Sequence, residues 1–179
     1  MDDSRKARDL ELLDAIDKFD RIAFDGSVWR AVRAARDALQ ASRVGARWDP
    51  ALFDVLYTSL DREGAMQEIY FHLSRQPVFP DVAFQLHRLR IRAKGFLNIS
   101  ELEVLGRLGV DLATFASFDY SRTQAIGDAA FFLGFAGLIV PSARSKARNL
   151  IIFSDRIEPD DIEVEHSELI NWKPWLSTR

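Results

Sequence analysis

Apolar residues recur at helical spacing over residues 4–23, where Leu10, Leu13, Ile16, Phe19 and Ile22 share one side and charged residues fill the others. Asp3 or Ser4 is placed to cap this helix. Asp25-Gly26 then reads as a turn. Residues 27–33 have the period of a short strand, with Val28, Arg30 and Val32 on one face and Trp29 and Arg33 on the other. Glycine and polar residues over 41–50 predict a loop. Residues 54–59 read as a second strand, and 61–76 as a helix carrying Met66, Ile69, Tyr70 and Leu73. Residues 82–92 predict a long strand. Its apolar phase slips between Leu86 and Leu89, which signals a bulge or bend. Ser100-Glu101-Leu102-Glu103 has the form of a capping box opening a short helix that ends near Gly106 or Gly109. Ser121 is placed to cap a helix over 122–133, and 137–140, 149–153 and 162–164 read as strands.

Strands and helices alternate without regular βαβ units. The expected fold is therefore α+β, with a mixed, largely antiparallel sheet and flanking helices. The turn at Asp25-Gly26 divides a helical extension, residues 1–24, from a main domain, residues 25–179. The extension reads as a docking helix for a second copy or another protein. The chain has 179 residues and is 47% hydrophobic with 13 Phe and 4 Trp, enough for one core. The apolar run 129–141 is too short to span a bilayer, which takes about 20 residues, and glycines interrupt it. It reads as core, with Phe131, Phe132 and Phe135 inside. No secretory signal opens the chain, so a cytoplasmic location is expected.

A net charge of −3 gives no global attraction to nucleic acid or to an anionic membrane, so neither is expected as a partner. Cysteine is absent, which excludes disulfides and thiol nucleophiles. His72, His87 and His166 are far apart in sequence, which sets aside a His/Cys zinc site though not one built from carboxylates, and no metal ligand is assigned. His72 and His87 read as packing or surface groups, and Arg144, Lys146 and Arg148 as a solvated or phosphate-facing run. A glycine-rich dinucleotide fingerprint, a phosphate loop, a nucleophile elbow and a zinc-protease helix are all missing.

The order of segments is more informative than any one of them. Val28-Trp29-Arg30 is followed by Gly45-Ala46-Arg47-Trp48-Asp49-Pro50, Leu56-Tyr57-Thr58-Ser59 and Ala65-Met66-Gln67-Glu68-Ile69. Further on come the run from Asp119 through Thr123-Gln124 to Gly127-Asp128, then Val140-Pro141-Ser142-Ala143-Arg144, then Asn149-Leu150. From residue 28 to residue 153 this succession resembles the RES domain, named for its Arg, Glu and Ser. The family's loop carries Gly and Asn where this chain has Ala46 and Asp49. The residue after the early Arg is Ala31 in place of an aromatic or β-branched residue, and a glycine common shortly after the loop proline is missing.

The resemblance implies an ADP-ribosyltransferase-like fold and a toxin that degrades NAD+ at its nicotinamide–ribose bond, by hydrolysis or phosphorolysis. NAD+ is then the substrate and no further cofactor is needed. It also implies an Xre-type antitoxin as partner and a toxin homodimer. Breaking this bond builds positive charge on the ribose, while nicotinamide departs neutral and needs little acid assistance. On this reading Arg30, Glu68 and Ser142 are the catalytic candidates. Glu68 steadies the cation or binds the ribose hydroxyls. Arg30 and Arg47 bind the pyrophosphate, Tyr57 stacks on a ring or bonds the ribose, Ser142 donates to ribose or phosphate, and Asn149 gives a supporting hydrogen bond. Two alternatives keep the fold: ADP-ribosyl transfer to a protein, which uses the same cation, and a catalytically silent binding module.

Overall fold

The computed structural model describes residues 7–179. Its backbone is a long antiparallel pair, β1 (Ile22–Arg33) against β3 (Phe84–Asn98), in register from Arg33↔Phe84 to Ala23↔Lys94. Asp25 and Gly26 lie inside β1, so the expected turn is continuous strand. β2 (Val55–Ser59) joins β1 near Trp29↔Ser59 and pairs on its other side with β5 (Arg148–Phe153). β5 pairs with β4 (Gly137–Pro141), and β4 lies parallel to the end of β3. The five strands thus return to where they began. Val28, Leu56, Leu89, Ile91, Ile139 and Leu150, which between them come from all five, form one buried cluster. Strand β6 (Ile162–Leu169) adds to the outer side of β3 and is longer than the sequence pattern indicated. Every pairing but β3–β4 is antiparallel, as the α+β expectation required.

The apolar phase slip is not a bulge of β3, which pairs with β1 without a break from Phe84 to Lys94. Leu86 is buried with Ala65 and Met66 of α2 (Arg62–Ser74), whereas Leu89 and Ile91 face the interior of the ring, so both faces of β3 carry apolar residues. The register shift against β6 between Arg88 and Leu89 is taken up by one extra residue, Glu165, in β6.

The helices cover the ring. The expected helix over 4–23 is observed as α1 (Leu10–Asp17), capped by Asp9, whose carboxylate accepts from the Leu12 amide. Residues 4–6 of that span lie outside the described residues, and Ile22 already belongs to β1. Leu12 and Ile16 of α1 are buried in the same cluster as Ile126 and Ala130 of α4 (Ser121–Phe132). The apolar side expected to dock a partner is therefore used within the chain. Phe135 and Phe131 pack in or against this core, but Phe132 is exposed beneath the Arg8 guanidinium. Helix α3 (Leu102–Arg107) begins at Glu101 with no side-chain cap, so the Ser100 capping box does not form. Ser121 is the first residue of α4 rather than its cap, and its amide and hydroxyl are held by the Asp119 carboxylate. Helix α2 crosses the sheet beside β1 and β2. A terminal helix, α5 (Trp172–Ser177), absent from the sequence reading, lays Trp172 and Trp175 against Tyr70 of α2.

The loop over residues 45–50 is clamped between β2 and α4. Gln124 Nε2 donates to the Ala46 carbonyl at 2.9 Å. One turn on, a Cβ at Gly127 would stand 1.8 Å from the Trp48 carbonyl oxygen. The Thr-Gln-x-x-Gly-Asp segment is thus a backbone-to-backbone seat, open only to glycine. Ala51, next to the loop proline, has φ 64°, the left-handed region where the family's absent glycine would sit without strain. Gly127→Ala must displace either α4 or the loop. It is expected to lower stability by about 1–3 kcal/mol, the usual cost of overpacking, measured by urea denaturation. A change below about 0.5 kcal/mol, the scale of a neutral surface substitution, would show the seat to be loose.

Candidate active site

Arg30 lies in β1 with His87 directly across the ladder and is 8% exposed. Its Nη1 donates to the Tyr57 carbonyl at 3.2 Å and its Nη2 to the Gln40 carbonyl at 3.1 Å, which leaves a buried Nε without a partner. Burial, and secondarily the Arg36 charge, lower its pKa to about 10. Arg30 therefore keeps its charge at neutral pH.

Tyr57 reaches from β2 towards the 45–50 loop. Its hydroxyl donates to Asp49 Oδ2 at 2.7 Å and accepts from the Trp48 amide at 3.0 Å. Burial, with the Asp49 carboxylate beside it, pushes the phenol well above its usual range, so it stays protonated and donating. The hydroxyl expected for the ribose is thus engaged in holding the loop. Asp49, 2% exposed, takes this bond and also one from the Ala51 amide, which accounts for a carboxylate where relatives carry Asn. Arg47 projects from the same loop. It donates to the carbonyls of Phe115 and Ser117 and lies over the rings of Tyr120 and Phe115, 4.6 and 5.1 Å from their centroids.

Glu68 is set by the start of α2. Asp61 caps that helix through the Gly64 amide at 2.6 Å, and Gly64 fits so closely that a Cβ would meet Ser59 Oγ at 2.4 Å. One turn further on, Glu68 Oε1 accepts from Ser142 Oγ at 2.7 Å and from Asn149 Nδ2 at 3.2 Å. Ser142 Oγ in turn accepts from the amides of Arg144 and Ser145, at 3.0 and 3.2 Å. Its single proton therefore points to Glu68. Oε2 of Glu68 has no donor among the described residues.

These groups share a cavity of about 480 Å³, a volume within the range for small-molecule sites. Arg30, Arg47, Tyr57, Glu68 and Asn149 line it, while Ser142 stands behind Glu68 as its hydrogen-bond donor. Arg33, Arg36, His72 and Tyr120 also line it and were not sequence candidates; Arg144 lines it too, from the run read as solvated or phosphate-facing. Two of these carried a signal. His72 is one helical turn beyond Glu68, and Arg144 follows Ser142 by two residues. Among the described residues no cluster of three His, Cys, Asp or Glu is arranged to hold a metal ion.

The five arginines on the cavity wall have no carboxylate partner among the described residues, whereas ten of the thirteen described arginines elsewhere are ion-paired, all but Arg75, Arg148 and Arg156. Against this charge the wall offers only Asp49 and Glu68. A concave surface with surplus guanidinium charge and one anchored carboxylate suits an anionic ligand that acquires positive charge at one carbon.

With a model of the RES domain matching residues 20–172, the chain belongs to the RES-domain family. Its similarity to individual members extends over most of its length. It is 26% identical to the NAD(+) phosphorylase MbcT of Mycobacterium tuberculosis and to that of Mycobacterium bovis, over 90% of this chain and 91% of each relative. The fold matches a chain in the crystal structure of the M. tuberculosis MbcT–MbcA toxin–antitoxin complex, with a TM-score of 0.86 and 24% identity over 96% of this chain and 98% of that one.

Tyr57→Phe removes the only hydroxyl that joins β2 to Asp49 and Trp48 and leaves a buried carboxylate oxygen short of a donor. Its expected cost is about 1–3 kcal/mol of stability, read by chemical denaturation. A loss below about 0.5 kcal/mol would mean that another group holds the loop.

Proposed function

We propose that this protein is the toxin of a toxin–antitoxin pair and degrades NAD+ by cleaving the nicotinamide–ribose bond, with phosphate as acceptor. The carrying observation is the Glu68 carboxylate, fixed by Ser142 and Asn149 in a cavity lined by unpaired arginines. The MbcT relatives, named NAD(+) phosphorylases, support the same reaction, and the complex of one with MbcA supports an antitoxin partner.

The residues divide the work as follows. Arg30, aided by Arg33 and Arg36, binds the pyrophosphate of NAD+, whose oxygens match guanidinium forks. The exposed faces of Tyr57 and Tyr120 bound the ribose and base positions along the cavity wall. Glu68 faces the nicotinamide ribose. As the C1′–N bond lengthens, its electron pair moves onto the pyridinium nitrogen, which becomes neutral, and positive charge passes to the ribose. The Glu68 carboxylate stabilises that charge. Ser142 and Asn149 hold the carboxylate in place. They are positioning residues that need not touch the substrate. The same reading takes the protein as a cytoplasmic homodimer whose antitoxin is of the Xre type.

Glu68→Gln keeps the size of the side chain and an oxygen for Ser142 and Asn149 but removes the charge. Expressed in a bacterium without antitoxin, the wild type is expected to deplete the intracellular NAD+ pool. The variant should turn over at least about 100-fold more slowly, the scale of losing one preorganised electrostatic group. Its unfolding free energy should stay within about 1 kcal/mol of wild type. An undiminished NAD+ pool in cells making soluble wild-type protein would overturn the reading.

A further inference from the structure

We propose that Arg47 and Arg144 form a second anion subsite, next to Glu68, that binds the inorganic phosphate acceptor. The inference rests on the reading of the chain as an NAD+ phosphorylase and assigns to its co-substrate a place in the cavity.

The two side chains arrive from opposite ends of the sequence and clasp three consecutive carbonyls. Arg47 takes those of Phe115 and Ser117, and Arg144 Nη1 takes Ala116, at 2.6 Å. Each is also flanked by aromatic rings: Arg144 lies 3.9 Å from the Phe71 centroid and 5.2 Å from that of Phe118. The guanidinium planes are therefore oriented before any ligand enters. After these bonds, Arg47 Nε and Arg144 Nε and Nη2 have no acceptor among the described residues. Burial first, and then the Arg144 charge, disfavour the charged form of Arg47. Two like charges held on one short segment, with no carboxylate ion-paired to either among the described residues, are an unfavourable arrangement that a bound dianion would relieve. Pinning a loop needs only neutral donors.

Position separates this pair from the pyrophosphate wall. The Arg144 amide bonds Ser142 Oγ, the same hydroxyl that donates to Glu68. The Glu68 carboxylate also favours the charge on Arg47, whereas Arg30 is influenced chiefly by burial and Arg36. The pair thus belongs to the carboxylate's side of the cavity, and Arg30, Arg33 and Arg36 belong to the β1 side. NAD+ has one pyrophosphate. An attacking phosphate must reach the anomeric carbon that Glu68 serves. This moves Arg47 from the pyrophosphate, where the sequence placed it, to the acceptor.

The step balances without a base. The C1′–N bond breaks with its electron pair going to nicotinamide, and an oxygen of HPO₄²⁻ forms the new C1′–O bond. The product is ADP-ribose 1″-phosphate, which retains the phosphate's proton. Water would have to lose a proton in the same step, which hydrogen phosphate need not. A cationic cradle is the requirement peculiar to the anionic nucleophile.

The test is initial-rate kinetics on the full chain, with NAD+ and inorganic phosphate varied independently and products separated by chromatography. Arg144→Gln is expected to raise the KM for phosphate by about 10- to 100-fold, the loss of one charge-assisted hydrogen-bonding group, while the KM for NAD+ rises far less. On wild-type protein, sulfate should compete with phosphate and not with NAD+, an arm that stands even if the variant fails to fold. A larger rise in KM for NAD+ than for phosphate would overturn the assignment and give the pair to the pyrophosphate. So would sulfate competing with NAD+ alone. NAD+ consumed at a rate independent of phosphate, with ADP-ribose as product, overturns the subsite but leaves NAD+ cleavage standing. No nicotinamide at any phosphate concentration sinks the proposed function itself.

Discussion

A carboxylate on α2 is tied to the end of β4 through Ser142 and to the start of β5 through Asn149. This contact fixes how the helix lies on the sheet, and the rest of the site is built around it. An isolated glutamate on a helix samples many rotamers and faces water. With two donors on one oxygen, Glu68 has a defined direction, and its second oxygen remains available. The donors are themselves constrained, since Ser142 is oriented by two loop amides and Asn149 is paired in the β5 ladder. Their contribution is preorganisation, which matters most where charge develops in a water-poor cavity.

Around that carboxylate the fold accumulates positive charge that it does not neutralise. Arg30 is tethered by main-chain carbonyls from two segments, so one side chain both braces β1 against β2 and the 34–40 loop and presents charge to the cavity. Arg47 and Arg144 are held in the same manner by residues 115–117. Carbonyl tethers orient a guanidinium without cancelling it, whereas a carboxylate partner would do both. Most arginines off the cavity wall are ion-paired and, among the described residues, none on the wall is, which suits a site that binds anions.

How far the sequence could be read depended on the range of the interactions involved. Strand periodicity located β1, β2 and β3, but the phase slip at Leu86–Leu89 marks a strand buried on both faces rather than a bulge in β3. Local signals misled where tertiary pairing prevailed. Asp25-Gly26 has turn composition, yet β3 pairs with it throughout as strand, and the Ser100 box is not formed. Arg30, Glu68 and Ser142 were chosen from a family resemblance, because spacing alone does not bring residues so far apart together. What they touch was not legible. The Tyr57 hydroxyl was expected at the ribose but binds Asp49, a partner revealed only once β2 and the loop are placed side by side. Arg144 was read only as part of a solvated or phosphate-facing run, since the carbonyl and the two rings that hold it come from distant segments.

On the proposed function the β1 arginines and Glu68 act on a single dinucleotide. A crystal structure with a non-cleavable carbocyclic analogue of NAD+ checks this. Electron density is expected in the 480 Å³ cavity, with the pyrophosphate against Arg30 and the nicotinamide-bearing ring against Glu68. An analogue bound elsewhere, or bound in the cavity with that ring turned away from Glu68, would contradict it.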